Sequence, residues 1–122
     1  MKHKIVTILQ DDIIIDHLRQ AHLLLDACIK RSVPMTVTGM LQNADKLYFM
    51  LTETNITSAL KYKYVFAPFP PKQHDEILAE LGSRFFYGFS IIGTFYLTAE
   101  NWVLYRYDSS IDEDIQPDDT FS

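Results

Sequence analysis

The chain carries a single cysteine, Cys28, in 122 residues. One thiol closes no internal disulfide and has no second sulfur with which to hold zinc. As a small hydrophobe it belongs on the buried side of a helix. Glycine is scarce as well, four in all. Neither a Gly-x-x-x-x-Gly-Lys-Ser/Thr loop nor a Gly-x-Gly-x-x-Gly turn occurs, which excludes the usual phosphate cradles. Long apolar runs are missing too: nothing approaches the ~18 residues of a membrane span. The apolar opening, residues 1–10, is followed at once by Asp11, Asp12 and Asp16, unlike a secretion signal. A cytoplasmic protein without membrane insertion is expected. The four histidines are His3, His17, His22 and His74. They form no His-Glu-x-x-His motif, and His17 and His22 do not share a helix face as an i, i+4 pair would. No metal site is expected. Asp12 and Asp16 could share a helix face for acid–base work, but at a helix start they serve the cap and the dipole more simply. No catalytic residues are assigned, and a non-enzymatic protein is expected.

Basic charge is lacking overall, at a net −5. Six acids, Asp108, Asp112, Glu113, Asp114, Asp118 and Asp119, lie in residues 108–122 with no Lys or Arg among them, which leaves 11 basic and 10 acidic residues elsewhere. The body is therefore near neutral. That argues against nucleic acid as a partner, because phosphate binding rests on a basic surface. Residues 1–108 are expected to form one domain and residues 109–122 an acidic, poorly ordered tail.

What is present is a core. Hydrophobic residues make up 48% of the chain, enough for one globular domain. Residues 4–9, Lys-Ile-Val-Thr-Ile-Leu, predict a buried strand. A helix is expected next, capped by Asp11 or Asp12 and running to about Ser32. Its buried stripe would be Ile14, Leu18, Ala21, Leu25, Cys28 and Ile29. Lys30 and Arg31 suit its last turn, and Pro34 ends it. Residues 35–41 predict a second strand, with Thr36 and Thr38 on one face and Met35 and Val37 on the other. Residues 47–51 read either as a strand or as part of a mobile loop. Residues 62–69 predict a further strand closed by prolines. A second helix follows from Pro71, with Gly82 as its stop. Residues 90–97 and 102–107 give two last strands. This order fits an α+β, ferredoxin-like βαββαβ sandwich: one antiparallel sheet with two helices on one face and an extra C-terminal strand. It also fits two copies of a strand–helix–hairpin unit, in which Gly39 and Gly93 fall at similar places. The aromatic set Phe85, Phe86, Tyr87, Phe89, Phe95, Tyr96, Trp102, Tyr105 and Tyr107 exceeds what one sheet face can bury. Self-association through the open face is expected.

The opening Met-Lys-His-Lys-Ile-Val-Thr-Ile-Leu, then Pro34-Met35-Thr36-Val37-Thr38, then the stretch from Thr94 to Arg106, in that order, resemble the PII-like signalling proteins. The resemblance covers about residues 1–108. It implies a trimeric regulator that binds a small-molecule effector between subunits and docks on a protein target through a long loop at residues 43–60. Carried over by position, Thr36, Thr38 and Arg106 would be ligand contacts, and Leu47, Tyr48, Phe49 and Met50 would form the partner-binding loop. The family's nucleotide would find its glycines replaced by Gln42, Asn43 and Ala44, its basic loop by Ser90, Ile91, Ile92 and Gly93, and one closing arginine by Leu104. No cofactor is therefore expected, and a nucleotide only in an altered mode. Thr38-Gly39-Met40-Leu41 is also similar to the blue-light flavin sensor domain, but Met50 stands at that family's flavin-facing glutamine and its first-strand tyrosine is absent. The alternative function is a protein-interaction module, of inhibitor or immunity type, using its surface or acidic tail.

Overall fold

The computed structural model describes residues 2–29 and 33–110. The Lys30–Arg31 pair, the helix end at Ser32 and the acidic segment 111–122 lie outside the described residues. The protein is α+β, with two antiparallel three-stranded sheets and four helices in the described part. The first sheet contains β1 (His3–Leu9), β2 (Met35–Asn43) and β3 (Lys46–Glu53), in the order β1-β3-β2. The second contains β4 (Tyr62–Pro68), β5 (Phe89–Leu97) and β6 (Glu100–Asp108), in the order β4-β6-β5. Each half thus builds its own sheet, a helix joining two parallel strands that flank an antiparallel third. An interleaved βαββαβ plan would place strands of both halves side by side in one sheet. Here β4 pairs with β6 alone, so the strand–helix–hairpin repeat describes the chain better. Gly39 and Gly93 mark the correspondence: each sits at a bulge, where register shifts between Val37 and Gly39 in β2 and between Ile91 and Gly93 in β5.

Alternation decides what is buried. Leu47, Phe49 and Leu51 of β3 point inward, as do Tyr64 and Phe66 of β4, Phe95 and Leu97 of β5, and Leu104 of β6. The sheets meet through an edge-to-face ring pair, Phe49 on Phe66 at 5.8 Å, and Phe66 in turn packs edge-to-face on Phe95 of its own sheet at 5.9 Å. The neighbouring edges of β2 and β5 are joined by a side chain: the Gln42 amide donates to Tyr96 O (2.8 Å) and accepts from Tyr96 N–H (3.0 Å). That satisfies two edge groups that would otherwise lack partners.

The first helical segment is two helices, α1 (Gln10–Ile15) and α2 (His17–Ile29). Asp16 breaks it at φ −155°, ψ 82°, and its Oδ1 accepts from Arg19 N–H at 3.1 Å, an N-cap for α2. The break resets the helical phase. Ile13, Ala21, Leu24 and Cys28 are therefore buried, while Ile14 and Leu18 of the expected stripe face out. A short helix α3 (Ile56–Lys61), capped by Asn55, precedes β4. The last helix, α4 (His74–Phe86), starts later than Pro71 and passes through Gly82. A Gln73/Glu76 capping box fixes its start, and Gly88, at φ 93°, takes the chain out of it. Thr98 and Ala99 turn the final hairpin with φ of 52° and 62°, the backbone of a two-residue hairpin turn. No described helix is long and apolar enough to cross a membrane.

Residues 47–51 lie within the central strand of the first sheet rather than in a loop. Leu47 and Phe49 are fully buried, Tyr48 is half-buried and Met50 faces outward. A docking loop built from all four is excluded, because two of them are core.

Candidate functional site

The three residues expected to bind ligand fall in different places. Thr36 Oγ lies 3.0 Å from the Tyr64 hydroxyl, which also accepts from Val37 N–H at 3.0 Å. Thr36 is thus engaged in tying β2 to β4. Thr38 lies on the outer face of the first sheet, 2.9 Å from Thr52 Oγ. Arg106, on β6, lines a pocket of about 290 Å³ that neither threonine reaches. Strand register builds this pocket: Tyr62 is opposite Asp108, and Ser90 is opposite Arg106. Phe85 from the end of α4 and Phe89 from the start of β5 complete its rim.

The pocket is electrostatically uneven. The Arg106 guanidinium stacks over the Tyr62 ring at 4.2 Å, a cation–π contact. Its Nε is buried and has no hydrogen-bond partner, and no described carboxylate pairs with it. Asp108 shares the pocket but is already engaged. Its carboxylate accepts from Ser110 Oγ (2.6 Å) and Ser110 N–H (3.1 Å) and lies 3.6 Å from Lys61 Nζ. The Ser110 hydrogen bonds, helped by Lys61, hold its pKa below the ordinary carboxylate value, so it stays ionised with Lys61 as its counter-charge. Among the described residues, Arg106 is left uncompensated. A buried donor without a partner is costly, and an anionic group placed in this pocket would relieve that cost.

A second cleft runs between α4 and the outer face of the second sheet. α4 has no fully buried residue, and its Arg84 guanidinium lies over the Tyr105 ring at 4.6 Å. The Tyr105 side chain is 1% exposed, yet its hydroxyl has no partner. Burial raises the Tyr105 pKa, opposed by the charge of Arg84.

The remaining reactive groups have structural settings. Cys28 is completely buried beside Tyr64, and burial pushes its thiol up to about 11. It is a neutral thiol at neutral pH, the opposite of an activated nucleophile. Burial likewise pushes Tyr64 up to about 12. His17 packs edge-on against Trp102 at 5.6 Å. No group of three or more metal-ligating side chains occurs among the described residues.

Sequence reasoning found Arg106 but missed Tyr62, Arg84 and Asp108. Phe85, Phe89 and Tyr105 were legible only as surplus aromatics. The available signal was cationic: Arg84 and Arg106 each fall within an aromatic cluster. No family model, curated protein or solved structure matches this chain.

Proposed function

We propose that the chain is a non-catalytic regulatory protein that binds a small anionic molecule in the Arg106 pocket. The observation that carries this is the uncompensated guanidinium: a buried, unpartnered Nε, an aromatic platform in Tyr62, and a neighbouring carboxylate already neutralised by other groups. A pocket with apolar walls and a few convergent polar groups is the usual form of a small-molecule site. In this reading the chain acts as an effector sensor, as the likeness of its first strands to PII-like regulators implies.

Self-association belongs to the same proposal. The outer face of the first sheet is uncovered by any described helix, and Ile5, Leu41 and Met50 stand 60%, 62% and 48% exposed there. Apolar side chains adjoining on one sheet face mark an interaction surface. A homotrimer is the assembly proposed, and a protein target that uses this face is the second reading.

Native mass spectrometry of the purified protein tests both parts. The expected result is an oligomer, trimeric in the favoured case, with a small anionic molecule retained by the wild-type chain and lost in Arg106→Gln. A charge-assisted contact contributes about 1.5–3 kcal/mol, so the substitution should weaken the ligand roughly tenfold to a hundredfold. A monomer that carries the same ligand with or without Arg106 would refute the proposal.

A further inference from the structure

The space beneath α4 has a chemistry of its own. Its first part, about 300 Å³, is lined by Phe69, Ile77, Leu81, Ile91, Trp102 and Val103, with Thr94 and Asn101 at its border. Its second part, about 230 Å³, contains Arg84, Ser90 and Tyr105. Leu81 and Ile91 line both parts, so the two are neighbouring lengths of one cleft. One end is almost purely apolar and the other is cationic. The helix rises about 1.5 Å per residue, which puts Ile77 and Arg84 roughly 10 Å apart along it, the length of a medium-chain acyl tail.

The charge at the polar end does not balance among the described residues. Glu80 receives both Lys72 Nζ and the Arg84 Nε, the latter at 3.5 Å. Two cations face one carboxylate, leaving one positive charge. The Arg84 Nε is within ion-pair distance of Glu80 but is not aligned as a hydrogen bond, and it is buried without a hydrogen-bond partner. The Tyr105 hydroxyl beside it is unpartnered in a side chain that is 1% exposed. Two donors without a hydrogen-bond partner among the described residues belong to side chains that line the same length of cleft; buried donors need an acceptor, and a carboxylate is the group whose geometry matches a guanidinium. An apolar cleft of this size beneath a helix with no buried residue also leaves contact unfilled.

We infer that the cleft beneath α4 binds a medium-chain carboxylic acid, its head held by Arg84 and the Tyr105 hydroxyl and its tail lying along Leu81 and Ile91 toward Trp102. This site is separate from the Arg106 pocket. The two meet at Phe85, Phe89 and Ser90, but their anion-binding groups are different.

The single tryptophan at the tail end provides the readout. Full-length protein is titrated with decanoate while Trp102 fluorescence is followed. Decanol supplies the tail without the charge, and acetate the charge without the tail. The expected result is a saturable change with decanoate, binding at least tenfold weaker for decanol, and no change with acetate. Arg84→Gln should weaken decanoate at least tenfold and Tyr105→Phe several-fold, while Arg106→Gln leaves it unchanged. Leu81→Phe fills the middle of the cleft without touching the head group and should abolish binding. No saturable change with decanoate, equal affinity for decanol, or undiminished binding by both Arg84→Gln and Leu81→Phe would overturn the inference. Loss of decanoate binding in Arg106→Gln alone would transfer the ligand to the other pocket and also overturn it.

Discussion

Tyr64→Phe and Tyr105→Phe are the same chemical change at two buried positions, and the structure requires opposite outcomes. The Tyr64 hydroxyl accepts from Val37 N–H and bonds Thr36 Oγ, both at 3.0 Å. Val37 is completely buried on an edge strand, so nothing else is placed to take its N–H. Removing the hydroxyl leaves that donor unsatisfied, at about 1–3 kcal/mol, and loses a second bond of about 1 kcal/mol. A total of about 2–4 kcal/mol follows. At about 2.1 cal/mol/K of unfolding entropy per residue, a chain of this length shifts by about 4 °C per kcal/mol, so Tm should fall by roughly 8–16 °C. The Tyr105 hydroxyl has no partner in the unliganded protein. Its removal takes away a desolvation penalty and no bond, so Tm should stay level or rise by a few degrees. Thermal unfolding by circular dichroism, without added ligand, compares the two. Equal losses would show that the Tyr105 hydroxyl is satisfied after all and would remove its role as a poised ligand donor. No loss in Tyr64→Phe would show that the β2 edge is not closed as described.

The other predictions concern pH and close packing. Burial holds the Cys28 thiol protonated, its pKa raised from 9.0 to about 11. The stability this contributes is complete below about pH 9 and lost as pH rises through 11, on the order of 2 kcal/mol. Denaturant midpoints measured from pH 8 to 11 should therefore fall less steeply in Cys28→Ala than in the wild type, and parallel curves would refute the assignment. The buried thiol should also resist iodoacetamide at pH 8 until the protein is unfolded. A Cβ on Gly93 would stand 2.4 Å from Met40 Cγ and 2.6 Å from its Sδ, whereas one on Gly39 would meet only the tip of Met50, Cε, at 2.7 Å. Gly93→Ala should thus cost about 1–3 kcal/mol by overpacking and Gly39→Ala less. Chemical denaturation of both variants checks this, and Met40→Ala should rescue the first.

Strand existence was legible because alternation is a local property. Leu47, Phe49 and Leu51 carry that alternation, yet residues 47–51 read equally as a strand or as part of a mobile loop, because five residues between polar stretches do not fix their pairing. Sheet membership was not legible. Whether β4 lies beside β1 or beside β6 depends on long-range pairing that no window of sequence encodes. The helix break at Asp16 was hidden for another reason: an aspartate that suits an early helix turn also suits an N-cap, and only tertiary packing chooses between them. At the candidate site, Arg106 is reached from the sequence only through the resemblance to PII-like proteins, which implies a ligand contact at that position. Asp108, the last residue of the expected domain, read only as the first of six C-terminal acids, although its carboxylate belongs to a local turn with Ser110 and to Lys61.

The arrangement of the two halves bears on function in a way their similarity alone does not. α2 is buried in the shared core through Ala21, Leu24 and Cys28, whereas α4, the corresponding helix of the second half, buries no residue completely. The same unit has therefore produced one structural helix and one loosely held helix. The loosely held one carries Arg84, whose guanidinium lies over the Tyr105 ring, and places Phe85 of its last turn on the rim of the Arg106 pocket. Phe85 and Phe86 are 75% and 66% exposed at that end. A ligand that filled the cleft would add contacts to α4 that the protein itself does not provide, and would fix the surface that those two rings present. In the proposed reading, binding beneath the helix would be coupled to recognition on its exposed end through one element, the property an effector-responsive protein requires.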